Sequence, residues 1–467
     1  MNTLYQGLMY LTSWPLALLL ILGGFYFTIR CGFIQIRLLK EAFHAVMEKP
    51  KVPGTVSSFG ALMISTASRV GTGNIIGVST AICLGGPGAV FWMWFFALIT
   101  GASAFVESTL AQIYKRRSDC NSGGISWGGP ACYIESALNN RFLALLFSVC
   151  LIFTYGVGYN MLASYNLQSS FAVFRFYKPF YCWIFGGAAA LLFLFAVLGG
   201  SRKLVRITTS LVPLMGVFYI LLALTALVIN GRNIPGMFML IFRNAFDFRA
   251  IYSGFATSAL MYGLKRGLYS NEAGIGSAPN AAAAADVSHP VKQGLVQMLS
   301  VFIDTNILCT ATALMCLSSG TALDAKAAGA PYVQNALQAT FGMAGPVFIA
   351  IAMVLFAYTT LLGNFYYVES SIAFLTGKQP SAKLLFRIRI AGAILIFAGG
   401  GLQMELAWGI ADIAQCLLAF INIPVCVLIG SGAYKALKNY LIQRKKGLDP
   451  VYKASENGIR VKTDFWQ

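Results

Sequence analysis

The chain has 467 residues, 57% of them hydrophobic and only 11% charged, with 34 Lys+Arg against 16 Asp+Glu for a formal charge of +18. A water-soluble domain carries about a quarter charged residues, so a soluble enzyme, a disordered chain and a disulfide-stapled secreted domain are excluded. The basic residues fall between long apolar runs instead of clustering among polar ones, which excludes a nucleic-acid binder. What remains is an all-α polytopic membrane protein.

In chain order, apolar runs of spanning length lie near 14–30, 57–84, 88–113, 143–172, 180–199, 207–229, 250–275, 293–319, 345–374, 388–401 and 406–432. That predicts eleven transmembrane helices, and the runs are continuous, not alternating, which rules out a barrel. Residues 1–29 carry no charge, so the basic start of a cleavable signal peptide is missing and the first helix is expected to be retained. The expected organisation is a first helix with its connection (1–56), a five-helix set (57–229), a second five-helix set (250–432) and a basic tail (433–467).

Charge then orients the spans. Counting Lys265 and Arg266 with the connections, alternate connections and the tail hold 27 of the 34 basic residues, the opposite side holds six, and Arg69 alone lies deep within a span. The positive-inside rule puts the 27 in the cytoplasm, with the N-terminus outside, the C-terminus inside and the chain in the plasma or bacterial inner membrane. The ten cysteines are mostly within apolar runs and form no C-x-x-C pair, so they read as core thiols and not as a metal or redox site.

Two spans differ from the rest. The second, SFGALMISTASRVGTGNIIGVSTAICLGG, has Gly71, Thr72, Gly73 and Asn74 at its middle; the seventh, FATSALMYGLKRGLYSNEAGIGSAP, is interrupted by Gly263, Gly267, Ser270, Asn271, Gly274 and Gly276. Each glycine costs a helix about 1 kcal/mol relative to alanine. The two spans open the two five-helix sets and run in opposite directions, the pattern that marks a secondary transporter's midplane site. Unwound backbone at that depth is tolerated only around a cavity. There, freed N–H groups and the positive end of a half-helix hold a carboxylate, while freed carbonyls coordinate a cation. An amino acid suits such a pair of charges. The bland alternative is that the glycines only let helices pack closely.

The strings VGTGNIIGVSTAICLGGPGAVFWMW (70–94), WGGPACYIESAL (127–138), GLKRGLYSNEAGIGSAPNAAAAA (263–285), HPVKQGLVQMLSVFIDT (289–305) and YTTLLGNFYY (358–367) resemble the sodium:alanine/glycine symporter family. The likeness covers essentially the whole chain. It implies a leucine-transporter-like core of five-plus-five inverted repeats behind one N-terminal helix, and Na⁺-coupled uptake of a small neutral amino acid by alternating access. It also implies that Thr72, Gly73 and Gly77 line the substrate pocket, with Ser270 and Asn271 nearby. A cation site between the second and ninth spans would use Thr359, Thr360 and the carbonyls of Ala67 and Val70, the oxygen ligands a hard cation wants. The chain departs from the family pattern at two pocket positions, where Ala163 replaces a Gln and Asn364 a Trp. Both changes remove bulk, and we expect a roomier pocket for a substrate larger or more polar than alanine.

Ionisable residues within spans default to functional roles. Arg69 adjoins the expected cation site and is placed to substitute for the ion, gate it or pair with a carboxylate. Asp304, mid-span, is expected to pair with Arg69, Lys265 or Arg266, or to carry a proton. Glu107, Glu272 and Glu369 with Lys265 and Arg266 are expected near cytoplasmic ends as an inner-gate ion-pair network. Asp412, read as able to reach water, is assigned no role. His44 and His289 make no metal site, and the loop SGGISWGGP (122–130) lacks the ending of a phosphate-binding loop. The tail RKKGLDPVYK (444–453) suits an anionic lipid surface. No cofactor, enzyme activity, nucleic acid or protein partner is implied; the expected ligands are an amino acid, Na⁺ and the bilayer. Proton coupling through Arg69 or Asp304, and a non-transporting amino-acid sensor, are the alternatives.

Overall fold

A computed structural model of the chain describes residues 2–117, 126–247, 254, 258–378, 380–459 and 463–466. Among them everything regular is helical, apart from a hairpin in which Arg116–Arg117 pairs antiparallel with Ser126–Trp127 and one isolated bridge. Seven of these helices are long and apolar enough to cross a membrane: Gly7–Cys31, Ala89–Ile113, Arg141–Ser169, Lys203–Ile229, Pro290–Ser318, Ala344–Thr376 and Met404–Ile429. The chain is a multi-pass membrane protein.

The other four expected spans fall short for physical reasons. The fifth, Tyr181–Val197, has 17 residues. The tenth, Ala382–Gly400, carries Lys383, Arg387 and Arg389 in its first two turns. The second and seventh are each broken in two, and residues 250–253 and 255–257 at the start of the seventh lie outside the described residues. Short helices Leu39–Val46, Pro130–Leu138, Ile234–Ala245 and Ala330–Phe341 fill the connections. Reading for span-length apolar runs passes over elements of this size.

In the first broken helix, the half Ser58–Arg69 starts where the Ser57 hydroxyl accepts from Gly60 N at 3.0 Å. It stops at Val70, whose ψ of 86° turns its carbonyl out of the helical ladder. A wide π-turn, Gly73–Gly77, then leads into Val78–Gly85. Glycine is required here by close approach. A Cβ on Gly71 would lie 1.9 Å from Thr360 Oγ1, and one on Gly73 would lie 2.7 Å from the Tyr269 ring.

The second broken helix repeats the plan: Ser258 caps Ala259–Asn271, accepting from Met261 N at 3.3 Å, and Ala278–Ala284 follows the break. Between the halves Glu272, Gly274 and Gly276 have φ of 55°, 88° and 83°, and alternate left-handed residues cannot continue a helix. The half Ser58–Arg69 packs against Ala278–Ala284 and against Ala344–Thr376, whereas Val78–Gly85 packs against Ala259–Asn271. The first half of each broken helix therefore lies beside the second half of the other, so the two run antiparallel. Ala89–Ile113 touches both halves of the second broken helix and also Trp14–Cys31 and Pro290–Val301.

The tail packs on the protein at the Ser57 end instead of lying free. Trp466 Nε1 donates to Gln112 O at 2.6 Å, Arg444 pairs with Glu41 at 2.9 Å, and Lys292 pairs with Asp449 at 2.8 Å and Glu48 at 3.1 Å. The Lys115 ammonium sits over the Phe465 and Trp466 rings and donates to Ala285 O at 2.9 Å. Burial there holds it down, to about 7.

The Gly71–Thr360 approach yields a test. Gly71→Ala is expected to destabilise the protein by about 1–3 kcal/mol through overpacking, read as a lower Tm in detergent. Adding Thr360→Ala is expected to recover part of the loss; equal Tm for Gly71→Ala and wild type would contradict the packing.

Candidate functional site

The break in the second helix frees peptide N–H groups where no water reaches. Glu107, fully buried on Ala89–Ile113, accepts from Gly274 N at 3.3 Å, Gly276 N at 3.1 Å and Asn422 Nδ2 at 2.6 Å. Asn422 also donates to Gly274 O at 2.9 Å, and Tyr133 donates to Asn422 Oδ1. Glu107 thus makes no ion pair of an inner gate among the described residues; it is the carboxyl group that replaces the missing helical partners of the break.

Asp304, also fully buried, ties the two broken helices together. Its carboxylate accepts from Asn74 Nδ2 at 2.7 Å, Ser270 Oγ at 2.7 Å and Thr305 Oγ1 at 3.0 Å. Asn74 Oδ1 in turn accepts from Gly71 N at 2.8 Å, and Asn271 Nδ2 donates to Thr305 Oγ1 at 3.2 Å. The expected ion pair of Asp304 with Arg69, Lys265 or Arg266 is absent among the described residues; neutral donors hold it instead.

Glu272 is the buried residue that ends Ala259–Asn271 and opens the second break. It accepts from Ser68 Oγ and Ser277 Oγ, each at 2.7 Å. Ser68 Oγ also lies 2.7 Å from Asn364 Oδ1, and Asn364 Nδ2 donates to Asn160 Oδ1 at 2.9 Å. Asn364 therefore joins the Ala344–Thr376, Arg141–Ser169 and Ser58–Arg69 helices, filling with hydrogen bonds a position read as opened space. Ala163 lies between Asn160 and Asn166 at helical spacing on the same face, and Asn166 Nδ2 reaches Thr72 Oγ1 at 3.0 Å.

Arg69 is 1% exposed and has no carboxylate within ion-pair distance among the described residues. Its Nη1 donates to Gln297 O at 3.3 Å and Oε1 at 3.4 Å, while Nε and Nη2 have no hydrogen-bond partner among the described residues. The expected Arg69–carboxylate pair is therefore replaced by a longer-range field, which acts on Glu107, Glu272 and Asp304.

Of the expected cation ligands, Thr360 is buried against Gly71 with its hydroxyl unpartnered among the described residues, beside the point where Val70 leaves the helix. Ala67 is fully buried against Gly363 one turn further on. Thr359 instead turns its hydroxyl to Leu355 O and Phe356 O, both at 3.1 Å, beside Met215. The structure brings Thr360 to the first break and leaves Thr359 facing its own helix.

At the Gly85 end, Arg266 Nη2 pairs with Asp412 Oδ2 at 2.5 Å, both nearly buried, and the guanidinium sits 4.0 Å from the Trp408 ring centre. Two expectations are corrected here. Lys265 and Arg266 lie inside Ala259–Asn271, not in a connection, and Asp412 is buried and paired, not reaching water. Lys265 is itself buried, with no ion pair among the described residues. Trp408 packs edge-on to Tyr269, and Tyr269 to Tyr159; Gly77 faces Trp408 and Gly73 faces Tyr269. Sequence reasoning missed Trp408, Tyr269 and Asp412; the signal for the last was a carboxylate inside an apolar helix.

At the Ser57 end, by contrast, a cavity of about 650 Å³ opens between the broken helix and its neighbours, lined by Ser57, Gly60, Trp127, Arg206, Tyr366 and Glu369. Glu369 pairs with Arg389 at 2.8 Å there, the one member of the expected network found near a helix end with a cation. The described part of the 122–130 loop, from Ser126, lines the same cavity.

Two antiparallel broken helices meeting at a buried polar centre are the arrangement of a secondary transporter. A model of the sodium:alanine symporter family matches residues 2–454, and the chain belongs to that family of membrane symporters. It is 41% identical over its whole length, and over 99% of the relative, to the amino-acid carrier protein AlsT of Bacillus subtilis. It is 40% identical to the probable sodium/glutamine symporter GlnT of the same organism, over 94% of this chain and 90% of that one. It is 34% identical to a sodium/proton-dependent alanine carrier protein of Bacillus sp. PS3, over 88% and 94%.

The role of Glu107 is directly testable. Glu107→Leu strands the amides of Gly274 and Gly276 and the Asn422 side chain, at about 1–3 kcal/mol for each buried group left unpaired. The expected outcome is a large fall in Tm, with Glu107→Gln intermediate; an unchanged Tm for Glu107→Leu would show that the break finds its partners elsewhere.

Proposed function

We propose that this protein takes up a neutral amino acid together with Na⁺ by alternating access. The observation that carries the reading is the buried, unpartnered hydroxyl of Thr360 facing the point where Val70 leaves its helix. With the carbonyls of Ala67 and Val70 it supplies hard-cation ligands at the negative end of the half-helix Ser58–Arg69. The positive end of the other half, at Thr72 and Gly73, suits the substrate carboxylate. Tyr269, Trp408 and Gly77 then bound the side chain, with Ser270 and Asn271 beside it.

Eleven crossings fit this reading, as one N-terminal helix followed by inverted sets at 57–229 and 250–432. The antiparallel pairing of the broken helices supports it. With Lys265 and Arg266 removed, the sequence segments assigned to the connections and tail at the Ser57 end still hold 25 of the 34 basic residues, which by the positive-inside rule makes that end the cytoplasmic one in a bacterial inner membrane. The Arg266–Asp412 pair under Trp408 is then the outer closure, and the 650 Å³ cavity by Glu369 the route inward. The carboxamide at Asn364 and the small Ala163 favour a neutral side chain larger or more polar than that of alanine.

The test is uptake into proteoliposomes with and without an inward Na⁺ gradient, with competition by a panel of amino acids. Uptake is expected to require Na⁺. Thr360→Ala should raise the half-saturating Na⁺ concentration about tenfold, whereas Thr359→Ala should change it far less. Uptake driven by a pH gradient in Na⁺-free buffer would overturn Na⁺ coupling, and strict preference for alanine and glycine would overturn the pocket assignment.

A further inference from the structure

Three buried carboxylates surround the breaks, and their partners differ in kind. Glu107 is held entirely by N–H groups, which can only donate. Asp304 is held by an amide N–H and two hydroxyls. Glu272 is held by hydroxyls alone, Ser68 on one oxygen and Ser277 on the other. A hydroxyl can turn its proton away and present a lone pair, so only the Glu272 shell converts from a set of donors into a set of ligands without moving a heavy atom.

Further observations bear on the same place. The hydroxyls of Tyr155 and Tyr367 are fully buried and, among the described residues, make no hydrogen bond of good geometry, although they stand beside the Glu272, Ser277 and Ser68 side chains. Their rings meet edge to face at 5.1 Å, with Tyr155 directed at Glu272 and Tyr367 at Ser68. Ser68, moreover, has one proton and two acceptors at 2.7 Å, Glu272 Oε1 and Asn364 Oδ1, so one acceptor always goes unserved. Finally, Glu272 occupies a left-handed position after a helix, φ 55°, where glycine or asparagine is usual. A charged side chain is kept there against the backbone's preference.

We propose that Glu272 is the anionic ligand of a second monovalent-cation site, completed by the hydroxyls of Ser68, Ser277, Tyr155 and Tyr367. On binding, Ser68 turns its proton to Asn364 and its lone pair to the ion. The site lies about 6 Å along the Ala344–Thr376 helix from Thr360, one turn on at Asn364, and so is separate from the first. Glu107, Glu272 and Asp304 also share the field of one guanidinium, Arg69, and a buried carboxylate without a counter-charge takes up either a proton or a cation. The inference rests on the reading of this chain as a Na⁺-coupled symporter.

The experiment is equilibrium binding of radiolabelled Na⁺ to the purified full chain, with Tm measured in parallel. Wild type is expected to bind two Na⁺ per chain, and Glu272→Gln one. Ser277→Ala, which keeps the charge, is expected to weaken the second Na⁺ by about two- to tenfold, and it serves if Glu272→Gln does not fold. Wild-type stoichiometry and affinity in Glu272→Gln, or in Ser277→Ala should the first not fold, overturn this site alone. One Na⁺ in wild type, lost in Thr360→Ala, also overturns it while leaving Na⁺ coupling intact. No Na⁺ binding in wild type overturns both readings. Uptake driven by a pH gradient without Na⁺, and abolished by Glu272→Gln, assigns Glu272 to a proton and overturns the cation site.

Discussion

Backbone groups freed from a helix inside a membrane have no water to turn to, and every partner they need must come from the protein. The break at 272–277 therefore draws in Glu107 and Asn422 to accept and donate where helical hydrogen bonds are missing. The break at 70–73 draws in Asn74, whose side chain takes Gly71 N–H and passes its own N–H to Asp304. Once these carboxylates are buried, they in turn require positive charge or strong donors within the same volume. The polar centre is thus a consequence of breaking two helices at matching depth.

The electrostatics divide along the molecular axis. At the Gly85 end, positive and negative charge cancel locally in the Arg266–Asp412 pair, roofed by Trp408. At the centre they do not, because among the described residues Arg69 is hydrogen-bonded only to Gln297 and its field falls on three carboxyl groups. A paired end and an unpaired centre suit a transporter, whose contacts form in one state and break in the other; in the proposed function, the pair is the outer closure and the centre receives the cation and the substrate.

The helical class, seven of the eleven expected spans and both breaks were legible in the sequence, because apolar run length and glycine interruption are local signals. So was the family, carried by strings such as 70–94 and 263–285. The partners of the buried charges were not legible. Arg69 and Asp304 are each mid-span and each in need of a partner, but nothing local says that Asp304 meets Asn74 and Ser270, from two helices far apart in the chain. Lys265 and Arg266 were misassigned to a connection because two adjacent cations look like a loop until the helix break is located six residues later. Asp412 was misassigned because proximity to a helix end was taken for access to water, and its burial depends on Trp408 and Arg266 packing over it.

The central claim is that one buried centre binds substrate and cation together, so each must strengthen the other's binding by the same factor. The most direct measurement is the equilibrium affinity of the purified protein for its best amino-acid substrate as a function of Na⁺, paired with the Na⁺ affinity as a function of that substrate. The account predicts tightening in both directions with equal coupling factors, and loss of that coupling in Thr360→Ala. Amino-acid affinity independent of Na⁺ in the wild-type protein would contradict it.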